Sequence, residues 1–176
     1  MRCMSLLVVA AMAAWLGTGP GTVAFSATPA PATVLTEQGY GPLRIGMTWA
    51  QARRAMPGLR GNFELGESCF VAEVAALPGF YAMFEDRRLT SISAGEGSRI
   101  ATAGGLRVGH TAAQVRAVYG ARTRSEQHHY EAAPAQYLTV WTVPGRRGIR
   151  FETNDHRRIT VIHAGGPSIE YVEGCA

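Results

Sequence analysis

The sequence predicts an α+β fold of two tandem repeats, each a capped helix followed by a three-stranded antiparallel meander. Three observations predict it. Two collinear stretches recur without gaps, a Thr-x-x-Gln pair opens each copy, and beyond each helix the apolar period changes from about 3.6 to 2. The first match aligns Leu43–Gln51 with Leu106–Gln114, and the second aligns Arg87–Gly95 with Arg157–Gly165. The offset grows from 63 residues (Thr48 to Thr111) to 70 residues (Ser93 to His163), so the second copy carries a short insertion, placed within Arg122–Gln136.

Each element follows in order. Arg2, the apolar stretch Met4–Leu16 and the small residues around Ala24 and Ser26 read as a signal peptide over 1–26. The apolar stretch is shorter than the ~20 residues a spanning helix needs. Residues 27–39, rich in Ala, Pro and Thr, read as a flexible linker. Repeat 1 then covers 40–100 and repeat 2 covers 101–176, the two packed as one globular unit. Thr48 with Gln51, and Thr111 with Gln114, have the spacing of a capping box. Apolar stripes follow each cap: Trp49, Ala52, Ala55 and Met56 in the first copy, Ala112, Val115, Val118 and Tyr119 in the second. Pro57-Gly58 and Gly120 end these helices. Cys69–Leu77, Phe80–Glu85 and Arg88–Ala94 read as strands joined by short turns, hence antiparallel. The second copy offers Tyr130 or Tyr137 to Val143, Gly148–Thr153 and Arg158–Ala164.

Composition narrows the function classes. A net charge of +4, spread as scattered arginines among 13 carboxylates, argues against a nucleic-acid partner. Loss of the signal would remove Cys3 and leave Cys69 and Cys175, an even pair in an oxidising compartment, so a Cys69–Cys175 disulfide and a periplasmic or secreted location are expected. No transmembrane segment is expected once the signal is gone.

The segments Arg44-Ile45-Gly46-Met47-Thr48 and Arg107-Val108-Gly109-His110-Thr111, each followed by a helix and an antiparallel sheet in an exported chain, resemble the tandem-repeat fold of the β-lactamase inhibitory protein. More loosely they resemble the small outer-membrane lipoprotein of the β-barrel assembly machinery, and the chain as a whole resembles secreted proteobacterial proteins. The resemblance spans roughly 40–165 and implies that the chain binds other proteins. It carries across no individual contact residue.

Nothing in the sequence has the spacing of a metal site, a nucleophile elbow or a phosphate loop, so no cofactor, no metal and no catalytic residue are expected. His110 and His163 occupy positions that hold Met47 and Ser93 in the first copy, which marks them as scaffold, and His156 stands in a polar hairpin turn. The insertion differs, because it is not required by the repeat. His128, His129, Tyr130, Tyr137 and Trp141 are therefore the candidate binding residues: aromatic area with polar handles suits a protein partner or a sugar ring. The expectation is a non-enzymatic exported binding protein, an interaction or inhibitor-like module of the envelope. A glycan-binding, lectin-like module is the alternative, and a small periplasmic hydrolase using His128 or His129 is the third reading.

Overall fold

The structure is a computed structural model that describes residues 33–64 and 66–175. The signal peptide expected over 1–26 lies outside the described residues. Strands β1 (Leu35–Thr36), β2 (Gly39–Tyr40) and β3 (Leu43–Arg44) form a small three-stranded sheet. Helix α1 (Trp49–Ala55) precedes β4 (Leu59–Asn62), β5 (Cys69–Val74), β6 (Phe80–Glu85) and β7 (Arg88–Ala94). Helix α2 (Ala112–Tyr119) precedes β8 (Arg124–Gln127), β9 (Gln136–Val143), β10 (Arg147–Thr153) and β11 (Ile159–Gly165).

This corrects the expected α+β class and its helix-plus-three-strand units: the chain is mostly β. Strands β4 to β11 make one antiparallel sheet of eight, in the order β4-β5-β6-β7-β11-β10-β9-β8, and the two helices have only 7 and 8 residues. Two edge strands escape sequence reading, because Leu-Arg-Gly-Asn and Arg-Ser-Glu-Gln show no run of apolar or β-branched residues. Strand β1 likewise falls inside the stretch expected to be linker. A fully buried Leu35, whose amide donates to the Ala101 carbonyl, holds it to the rest of the chain.

Both capping boxes form. Each threonine hydroxyl accepts from the amide of its glutamine, and each glutamine side chain accepts from the amide of its threonine. The surrounding bonds recur as well. Gly46 and Gly109 donate to the carbonyls of Leu89 and Ile159, and Trp49 and Ala112 donate to those of Arg87 and Arg157. Arg88 and Arg158 complete the set by donating to the carbonyls of Gly46 and Gly109. The repeated Arg-Arg pairs thus clip a hairpin turn to a helix start.

One face of the eight-stranded sheet carries the core. Alternation along the strands sends Phe70, Ala82, Phe84, Ile92, Leu138, Phe151 and Ile162 to this side, where α1 and α2 cover them. Trp49 of α1 meets Phe70 and Phe84 edge-on, with centroids 5.2 and 5.1 Å away, and those two rings stack at 5.0 Å. The other face, free of α-helix, has neither α1 nor α2 on it. Its residues are the alternates: Val71, Met83, Ser93, Arg150, Glu152, His163 and Tyr137.

The chain after β11 crosses this helix-free face. Gly165 makes the turn possible, since its φ is +149° and a Cβ there would stand 2.5 Å from the Thr90 carbonyl oxygen. A one-turn helix at Pro167–Glu170 follows and buries Ile169, which lies 3.2 Å from where a Gly148 Cβ would be. The Tyr171 hydroxyl then donates to Glu85, and Cys175 closes a disulfide with Cys69 on β5. The pairing expected from the cysteine count is present. Among the described residues, no helix is long and apolar enough to cross a membrane.

Candidate functional site

The two halves of the sheet meet where β7 pairs with β11, and there Ser93 stands directly opposite His163. These are the same two positions that the internal match aligns. Because the neighbouring residues Ile92, Ala94, Ile162 and Ala164 are all buried in the core, period-2 alternation turns Ser93 and His163 to the helix-free face. Glu152 reaches them from β10. His163 Nε2 lies 3.0 Å from Glu152 Oε1, and His163 Nδ1 lies 2.8 Å from Ser93 Oγ.

Bonding capacity assigns the protons. An ionised carboxylate only accepts, so Nε2 of His163 carries the hydrogen; Nδ1 of the neutral ring is then an acceptor, and the Ser93 hydroxyl donates to it. His128, in the loop after β8, has its Nε2 3.7 Å from the other carboxylate oxygen of Glu152. Its Nδ1 accepts from the amides of Tyr130 and Glu131, which leaves its proton on Nε2, facing Glu152. Glu152 therefore sits between two imidazole N–H groups.

Beside this chain of polar groups, Arg150 is only 4% exposed and places its guanidinium 3.9 Å from the centroid of the Tyr137 ring. His128 stacks near the same ring, with centroids 4.6 Å apart. Glu126 and Glu170 each stand 3.9 Å from Arg150, so the buried cation has carboxylates on two sides.

Burial by itself would push the Glu152 carboxyl up. The hydrogen bond from His163 Nε2–H and the positive potential of His163, His128 and Arg150 outweigh it and hold Glu152 below its ordinary value of 4.5. A carboxylate lowered in this way stabilises the fold fully above its unfolded value and loses that contribution as pH falls through the folded one. Glu152→Gln should therefore lower the melting temperature most at neutral pH, with the difference from wild type shrinking below pH 4.5. Thermal melts of both proteins across that range check it; a pH-independent gap would refute the assignment.

Of the residues expected to bind, His128 and Tyr137 belong to this cluster and are largely buried. His129 and Tyr130 lie beside it and are exposed, their rings edge-on at 4.7 Å, and the Tyr130 hydroxyl donates to Glu173. Trp141 lies on the same face but further along β9, opposite Gly148, and does not join the cluster. Ser93, Glu152 and Arg150 are not marked by the sequence as site residues, and His163 is read there as scaffold. The available signal was a polar residue at every second place in otherwise apolar strands, as in Arg150-x-Glu152 and Ser91-x-Ser93. Among the described residues no group of three or more His, Cys, Asp or Glu side chains could hold a metal ion.

Fold and site define a mostly-β protein with a single large sheet, covered by helices on one face and carrying a hydrogen-bonded Ser-His-Glu-His chain on the other. No family model, no curated protein and no solved structure matches it.

Proposed function

We propose that the chain is an exported binding protein that contacts another envelope or secreted protein through the helix-free face of its sheet. The observation that supports this most directly is that α1 and α2 both lie on one side and the tail packs over β7, β10 and β11 of the other, which leaves the part of that face toward β8 open to a partner. Tyr130, 61% exposed, stands with His129 at the margin of that face, and Trp141 is partly exposed on it. Such aromatics, with the nearby Arg124 and Arg147, are the residue types that dominate protein interfaces. The Cys69–Cys175 disulfide suits an oxidising compartment.

The test uses residues outside the buried cluster, because truncating His128 or Tyr137 would disturb it. The triple variant His129→Ala, Tyr130→Ala and Trp141→Ala should melt close to wild type and lose at least about tenfold in affinity for partners recovered from envelope extract, one or two interface anchors being enough for that. Unchanged recovery and affinity would exclude this surface.

A further inference from the structure

The tail and the sheet enclose a half-open pocket of about 370 Å³ on the helix-free face, and Ser93 and His163 line it. We propose that this pocket is an acyl-transfer site in which Ser93 is the nucleophile, His163 the general base and Glu152 the positioning residue, acting on small neutral carboxylic esters. The proposal departs from the expectation of no catalytic residue and does not depend on the docking surface described above.

Three geometric observations carry it. The nucleophile and base are in hydrogen-bond contact, and the base is in turn held by a carboxylate, which is the arrangement that activates a hydroxyl. Which ring nitrogen faces the serine is immaterial to this chemistry, provided one accepts while the other donates to the acid. Ser93 is half-buried but lines the pocket, so a substrate can reach it.

The lining selects the substrate class. Val71, Met83 and Val161 give it apolar walls that suit a short acyl chain, no lysine or arginine lines it, and Glu96 does. Anionic substrates are therefore disfavoured.

The steps balance with water as the only co-reactant. Ser93 Oγ attacks the carbonyl carbon while its proton passes to His163 Nδ1. The electron pair displaced onto the carbonyl oxygen forms a tetrahedral oxyanion, and Glu152 stabilises the imidazolium through Nε2–H. Collapse breaks the ester C–O bond, the Nδ1 proton goes to the departing alkoxide, and an acyl group remains on Ser93. Water then gives a proton to His163 and attacks the acyl carbon, which releases a carboxylic acid and restores the hydroxyl.

The experiment treats the disulfide-intact protein with an alkyl fluorophosphonate and, separately, with p-nitrophenyl acetate. One equivalent of label on Ser93 by peptide mapping is the expected result, with ester hydrolysis falling about 10²-fold or more in Ser93→Ala and in His163→Gln. Glu152→Gln should fall similarly and Glu152→Asp should recover part of the loss, which a purely structural role for the acid would not produce in variants that are both fully folded at the assay temperature. Absence of label on wild-type Ser93 overturns the proposal whatever the variants do, and so does a folded Ser93→Ala that hydrolyses the ester at the wild-type rate.

Discussion

Replacing both Cys69 and Cys175 by alanine should lower the unfolding free energy by about 4–5 kcal/mol, the chain-entropy value for a cross-link closing a loop on the order of 100 residues. The two cysteines are 106 residues apart, so the bond restricts the unfolded chain over most of its length. In the folded state it also fixes the tail that runs over the sheet and buries Ile169. Losing the tie therefore acts at both ends of the equilibrium. For a domain of this size the loss corresponds to roughly 10–20 °C in melting temperature. Calorimetry of the double variant against oxidised wild type measures it, and a shift under about 2 °C would mean that tail packing alone holds the segment.

The second large effect is expected in the core. Phe84→Ala should cost about 3–5 kcal/mol, since a buried phenylalanine truncated to alanine leaves a cavity that its neighbours cannot collapse to fill. Phe84 is fully buried, stacks flat on Phe70 and receives the edge of Trp49 from α1, so one substitution removes both a stack and the seat of the helix. Phe63→Ala supplies the control. That ring also touches Trp49 and Phe70 but is 40% exposed, and its loss should cost only about 1 kcal/mol. Urea unfolding of the two variants separates them; equal midpoints would show that the aromatic cluster is not the anchor of α1.

Local chemistry was legible in the sequence. Thr48 and Thr111 declare their helix starts because the capping residue and its glutamine are three apart in the chain, and once Cys3 is set aside, Cys69 and Cys175 leave one pairing. Strands β5 to β7 and β9 to β11 show themselves through alternation and short turns. The class was hidden in the sheet and not in the helices, whose short extents Pro57-Gly58 and Gly120 mark: the strands that complete each meander, β4 and β8, have no apolar pattern to read. The site was hidden by a different cause. Ser93, Glu152 and His163 come from three strands, and only the register of β7 on β11 and of β11 on β10 brings them together. Sequence comparison aligned Ser93 with His163 and treated the pair as equivalent scaffold. In an antiparallel join between two similar halves, aligned positions at the junction become spatial neighbours, and that step requires knowing which edges meet.

The join has a further consequence for the borders of the sheet. Each half alone would show two open strand edges, the usual templates for aggregation through backbone pairing. Pairing β7 with β11 buries the two longest and most apolar of these edges and leaves β4 and β8 at the outside. Those strands have 4 residues each and carry Arg60 and Asn62 on one side of the molecule and Arg124 and Glu126 on the other. The weakness that kept them from being recognised as strands is what makes them poor templates for a neighbouring chain.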